Sequence, residues 1–171
     1  MKIKLNELEI NISPEETLRD IQLRYKPDAD VIVYNGAIQD EDILLSDGDH
    51  VMLIVKGETP SESELEAVMT ARHTPGVHEI MKKSCVGIAG LGGLGSSAAI
   101  ALARVGVGRL VLVDFDIIEP SNLNRQQFFI DQLGMLKTEA LEDNLKRINP
   151  YVEIETHNKK VTPENINEIF N

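Results

Sequence analysis

Cys85-Val86-Gly87-Ile88-Ala89, then Gly90-Leu91-Gly92-Gly93-Leu94-Gly95, then Ser96-Ser97-Ala98-Ala99-Ile100-Ala101-Leu102-Ala103 follow one another without interruption. The first run reads as a short buried strand, the second as a glycine turn, and the third as a helix built from small helix formers. In that setting each position of Gly-x-Gly-x-x-Gly has a physical task. Gly90 permits the tight turn, Gly92 lets a phosphate approach the backbone, and Gly95 lets helix and strand pack closely. The helix N-terminus adds unpaired N–H groups and the positive end of a dipole, which suits an anion. Beyond it, Val105-Gly106-Val107-Gly108 ends the helix and Leu110-Val111-Leu112-Val113 forms a second buried strand closing on Asp114. An acid about 20 residues past the glycines suits a ribose hydroxyl.

Val152-Glu153-Ile154-Glu155-Thr156-His157 supplies a third strand, and Thr162-Pro163 opens a further helix. The expected fold class for this region is α/β, the first half of a doubly wound Rossmann-like sheet. The fourth strand, beside which ligands bind in such sheets, is expected beyond Asn171. The fingerprint alone favours a dinucleotide oxidoreductase.

The next segment reverses that preference. Asp114-Phe115-Asp116 is followed by Glu119-Pro120-Ser121-Asn122-Leu123-Asn124-Arg125-Gln126, a string with no role in a nicotinamide fold. With Gly134-Met135-Leu136-Lys137, Ala140, Leu141 and Arg147-Ile148-Asn149-Pro150, it resembles the ThiF/MoeB/HesA family of ubiquitin-activating-enzyme-like adenylyltransferases over residues 84–160. The resemblance implies an enzyme that uses ATP and Mg2+ to activate the C-terminal carboxylate of a small sulfur-carrier protein, in thiamine or related sulfur-cofactor biosynthesis. It implies phosphate contacts from the amides around Gly92, Gly93 and Gly95, and ribose contacts from Asp114. Asn122 and Arg125 would reach the triphosphate, and Lys137 would neutralise charge there. Family members also receive an arginine from a partner subunit, for which Arg72 is the candidate, so a homodimer is expected. Asp116 is either a cap for the turn or a nucleotide ligand. Leu136 stands where the family often has proline. The magnesium-holding aspartate is expected beyond residue 171, and the piece in hand is expected to be inactive alone. A non-catalytic module that binds a carrier or nucleotide is the alternative.

Upstream, three helix starts share one device. Ser13-Pro14-Glu15-Glu16 and Thr59-Pro60-Ser61-Glu62 read as a cap, a proline at the first helical position and a capping box; Thr162-Pro163-Glu164 lacks the box. A hairpin over Lys2–Asn6 and Leu8–Ile12, a helix over Pro14–Tyr25, and strands at Val31–Tyr34 and Val51–Val55 describe a β-grasp, ubiquitin-like domain in residues 1–57. It resembles the ThiS/MoaD sulfur carriers, whose Asp-Gly-Asp turn is matched by Asp47-Gly48-Asp49. Those carriers end in a free Gly-Gly. Here Lys56-Gly57-Glu58 runs on into further chain, and a carboxylate held in a peptide bond cannot be adenylated. Residues 58–83 are expected to be a helical connector broken at Thr74-Pro75-Gly76, and 84–171 the partial nucleotide-binding domain.

Composition excludes several alternatives. The net charge of −11 argues against nucleic acid or anionic membrane as partner. No apolar run approaches the roughly 20 residues a membrane span needs. One cysteine permits no intrachain disulfide and fits a reducing cytoplasm. Cys85 is expected in the core rather than as a nucleophile, and no metal site is expected because His50, His73, His78 and His157 lack ligand spacing.

Overall fold

The computed structural model describes residues 1–71 and 76–170. Arg72 and the Thr74-Pro75 half of the expected break therefore lie outside the described residues. The chain forms two compact units, Met1–His73 and Thr74–Asn171.

In the first unit, β1 (Lys2–Leu5) and β2 (Leu8–Asn11) pair antiparallel across Asn6 and Glu7, whose φ of 46° and 67° make a two-residue turn. Helix α1 (Leu18–Tyr25) follows, then β3 (Val31–Tyr34), β4 (Ala37–Ile38) and β5 (His50–Ile54), in the sheet order β2-β1-β5-β3-β4 with β1 and β5 parallel. Ile3, Leu5, Val51 and Leu53 alternate inward from the strands to meet Leu18 and Ile21 of α1. This is the ubiquitin-like arrangement. The Asp47-Gly48-Asp49 turn locks it. Asp49 accepts hydrogen bonds from the Tyr34 hydroxyl, the Asn35 amide and the Ser46 N–H, while Asp47 accepts from the Lys2 N–H. β3 is half-buried throughout rather than fully buried as its composition suggested.

The three proline-marked helices all begin later than expected, for one reason. Ser13 and Glu16 do make the box contact, Ser13 N–H to Glu16 Oε2 at 2.6 Å, but it closes an isolated turn. The helix starts at Leu18, with Thr17 and Asp20 as the box. Likewise α2 (Glu62–Ala71) is opened by Ser61 and Glu64, not by Thr59 and Glu62. α6 (Ile166–Ile169) follows Asn165, whose side chain accepts from the Thr162 N–H. In each case proline fixes a turn ahead of the helix; in α1 and α2 the next polar residue with a partner three positions on then caps it, whereas Asn165 closes the turn before α6 without a side-chain cap.

In the second unit, α3 (Val77–Lys83) leads to β6 (Cys85–Ala89), α4 (Gly93–Arg104), β7 (Arg109–Val113), α5 (Lys137–Ile148) and β8 (Glu153–His157). The three strands are parallel in the order β6-β7-β8, with Cys85, Arg109 and Glu153 in register. On one face Val86, Ile88, Leu110, Leu112 and Ile154 pack against α4 and α5. On the other, Val111 and Val113 meet Ile169 and Phe170. A Cβ at Gly87 would lie 2.5 Å from the Phe170 ring, so only glycine admits that ring. β6 has one strand neighbour and alternates between half-buried and exposed residues. Cys85 is consequently exposed, correcting its expected place in the core. Among the described residues no helix is long and apolar enough to cross a membrane.

Candidate nucleotide-binding site

The glycine loop joins β6 to α4, and its shape is set from the far end of β7. Gly90 has φ +90°, a conformation glycine adopts without strain, and its N–H reaches the Val113 carbonyl at 2.8 Å. The Leu91 N–H then donates to Asp114 Oδ2 at 2.6 Å, and the Asp116 N–H donates to Asp114 Oδ1 at 2.8 Å. Asp114 is buried, and both its oxygens already serve the backbone. Its first role is to hold the loop against the strand end. Each oxygen keeps a second lone pair for a hydroxyl donor. A Cβ on Gly95 would sit 1.9 Å from the Gly90 carbonyl oxygen, so the helix meets the loop at a distance only glycine allows. At Gly92 the same Cβ would meet nothing within 4 Å, which leaves the approach to the backbone open. Gly92 caps α4 without any side-chain bond, and among the described residues the N–H groups of Gly93, Leu94 and Gly95 find no backbone acceptor. Three donors at a helix N-terminus thus lack a partner among the described residues, the arrangement an anion fits.

The segment after β7 lies over this loop. A short 3-10 turn, Pro120–Asn122, is closed by the Glu119 N–H donating to Asn122 Oδ1 at 3.1 Å. Asn122 is buried; its side-chain oxygen is spent on that turn and its NH2 donates to Ser121 Oγ at 3.4 Å, which leaves one amide hydrogen for a ligand. Arg125 is exposed; its guanidinium donates to the Ser121 carbonyl and to Asn124 Oδ1 at 2.8 and 2.9 Å, and pairs with no carboxylate among the described residues. The Arg125 carbonyl lies 3.2 Å from where a Gly93 Cβ would be, so this backbone rests on the glycine loop.

Lys137 is the first residue of α5 and is only 5% exposed. Its ammonium lies 2.8 Å from Asp116 Oδ2, and Asp116 is half-exposed. Lys137 is thus not a solvated residue at a helix start, and Asp116 is its counter-ion. A cation at a helix N-terminus opposes the dipole, and its burial adds a desolvation cost. Hydrogen bonds therefore link the glycine loop to Asp114, Asp116 and Lys137 in one chain, and close packing joins Gly93 to Arg125. Among the buried polar residues to which the sequence reading gave no role are Ser96, Gln132 and Asn144. Asn144 had a signal, since it interrupts the buried stripe of Leu141 and Leu145 on α5. Among the described residues no group of three or more His, Cys, Asp or Glu is gathered to hold a metal.

Residues 67–171 match the ThiF family, and residues 1–57 match the ThiS-like ubiquitin family. The ubiquitin-like modifier-activating enzyme 5 of Drosophila ananassae is 45% identical over 85 residues, which is 50% of this chain and 22% of that protein. The corresponding Drosophila virilis enzyme is 46% identical over 85 residues, 50% of this chain and 21% of its own. The chain thus spans about a fifth of the length of these curated relatives. Among solved structures, E. coli tRNA N6-threonylcarbamoyladenosine dehydratase, TcdA, in complex with ATP superposes with a TM-score of 0.59 at 29% identity, covering 63% of this chain and 46% of that one. E. coli MccB with MccA-N7isoASN gives 0.53 at 28% identity, covering 60% and 29%.

Proposed function

The chain belongs to the ThiF family, and from that premise we propose that it carries the nucleotide-binding region of an ATP-dependent adenylyltransferase acting on a ubiquitin-like sulfur carrier. The observation that supports this most is the buried ammonium of Lys137, set at the positive end of α5 with Asp116 as its one partner among the described residues. Such a group is costly in the free protein and suits a site that receives several negative charges. TcdA is solved with ATP and with AMP, which supports the same ligand here.

In this reading the Gly93, Leu94 and Gly95 amides hold phosphate oxygens, and Asp114 takes the ribose hydroxyls with its remaining lone pairs. The Asn122 NH2 and the Arg125 guanidinium turn to the triphosphate, and Lys137 neutralises charge on it. A carrier carboxylate oxygen attacks the α-phosphorus; the new O–P bond forms as the bond to pyrophosphate breaks. No side-chain nucleophile is required, so the residues act by positioning and by stabilising charge on the non-bridging oxygens. Magnesium would arrive with the triphosphate; among the described residues no group of three or more His, Cys, Asp or Glu gathers to hold it.

Residues 1–57 serve as a docking or stabilising β-grasp domain, 58–83 as the connector whose first helix packs back on it, and 84–171 as the nucleotide region. The carrier is a separate ThiS-like protein with a free C-terminus, in thiamine or related cofactor synthesis. The working form is a cytoplasmic homodimer, with Arg72 offered to the partner's site. The test is ATP–pyrophosphate exchange by the full reading frame encoding this chain, with a Gly-Gly carrier added. Exchange that needs the carrier and vanishes in Arg125→Ala supports the reading. Nucleotide binding without exchange would leave a binding module.

A further inference from the structure

The three parts of this site are tied together by buried amides that contact none of the proposed ligand groups. The Ser96 hydroxyl, on the first turn of α4, donates to the Gly92 carbonyl at 2.7 Å and accepts the Gln127 N–H at 3.2 Å. The Gln127 carbonyl in turn accepts from Asn144 Nδ2 of α5 at 3.1 Å. Gln127 is thus pinned through its backbone on both sides, to the glycine loop by its N–H and to α5 by its C=O. Asn144 and Gln132 then complete one another. Gln132 Nε2 donates to Asn144 Oδ1 at 2.9 Å, and Asn144 Nδ2 donates to Gln132 Oε1 at 3.1 Å. The remaining amide hydrogen of Gln132 goes to the Ala140 carbonyl, and the Phe129 N–H comes back to Gln132 Oε1.

Every amide hydrogen of this pair has an acceptor, in a region where Ser96, Gln132 and Asn144 are all buried. A fully satisfied buried network fixes one geometry, whereas apolar side chains would fill the same space with less directional demand. Its position gives that geometry a use. Asn144 lies seven residues after Lys137, two helical turns along the same buried face of α5. Gln127 lies two residues after Arg125. We infer that Ser96, Gln132 and Asn144 are positioning residues that hold Arg125 and Lys137 at a set spacing over the glycine loop, and so tune the site to a triphosphate rather than a monophosphate. The inference rests on the adenylyltransferase reading for its ligand but not for its brace.

The test uses the whole 171-residue chain. Asn144→Ala cuts the relay at α5, and Ser96→Ala cuts it at the glycine loop should the first variant fold poorly. Leu145→Val serves as a packing control on the same helix. Two quantities are read: amide exchange at residues 125–127 without nucleotide, and ATP and AMP affinities by calorimetry. Each relay variant should speed exchange at 125–127 and weaken ATP about tenfold while changing AMP less than about twofold, since a misplacement near 1 Å is enough for such losses. The control should leave the ATP-to-AMP ratio unchanged. Relay variants with wild-type exchange and ratio, or a control that lowers the ratio equally, would overturn the inference. If the wild-type chain prefers ATP no more than AMP, the nucleotide reading fails, and the exchange arm alone decides the brace.

Discussion

Glu64 offers the sharpest physical test of how the β-grasp unit holds its first following helix. Helix α2 has no buried residue of its own, so packing alone gives it little reason to stay. Its carboxylate anchor accepts from Asn6 Nδ2 at 2.8 Å, from the Ser61 N–H and hydroxyl at 3.0 and 2.9 Å, and lies 3.3 Å from the Lys26 ammonium. Burial pushes the Glu64 carboxyl upward, but Asn6, Ser61 and Lys26 outweigh it and hold its pKa down from 4.5 to about 2. The Lys26 ammonium is correspondingly raised, chiefly by its hydrogen bond to Glu58, with Glu64 assisting. A drop of that size would correspond to about 3 kcal/mol at 1.36 kcal/mol per unit, and we take about 2 kcal/mol because the group is partly solvated. Since the folded pKa is depressed, the stabilisation is fully present above about pH 4.5 and is lost as the pH falls towards about 2. At neutral pH, Glu64→Gln should therefore lower amide protection over residues 65–71 about 30-fold, the ratio that about 2 kcal/mol represents. Carboxyl-detected NMR of the wild type should show Glu64 titrating well below the other glutamates. A midpoint near 4.5, or unchanged protection in the variant, would refute the reasoning.

Other expectations follow from the same geometry. Gly95→Ala forces a Cβ to within 1.9 Å of the Gly90 carbonyl and should cost about 3 kcal/mol or more, read by denaturant unfolding. Gly92→Ala meets open space and should change stability by less than about 1 kcal/mol while abolishing ATP binding, because the methyl group stands where phosphate approaches. Lys137→Met should leave stability within about 1 kcal/mol of wild type, since it removes a buried charge whose partner Asp116 reaches water, and should remove the preference for ATP over AMP. Among the described residues β6 pairs with a strand on one side only, so light scattering should show a dimer, and a monomer with fast amide exchange at Val86 to Ala89 would show the edge to be tolerated.

What the sequence disclosed follows the reach of each interaction. The glycine loop was legible because Gly90 and Gly95 meet local demands of turn and packing. The β-grasp order was legible because alternating strands and a single helix in so short a span leave few arrangements. The helix starts were misplaced because a proline turn and a capped helix share the same first residues, and only the next polar pair distinguishes them. Cys85 was misplaced because an apolar run does not reveal how many strands flank it. The Asp116 pairing with Lys137, 21 residues apart, and the Gln132–Asn144 brace depend on how loop and helix close in space. Local pattern carries little of that. The buried polar residue in the apolar stripe of α5 was the one trace left in the sequence.

Nucleotide choice tests the central claim most directly. Calorimetric titration of this chain with ATP in the presence of magnesium, and separately with NAD, sets the two readings of the glycine loop against each other. Three amides with no acceptor and an Arg125 with no carboxylate partner among the described residues, together with a buried Lys137, predict saturable one-to-one binding of ATP and no heat from NAD. Binding of NAD with affinity equal to or greater than that of ATP would contradict the account.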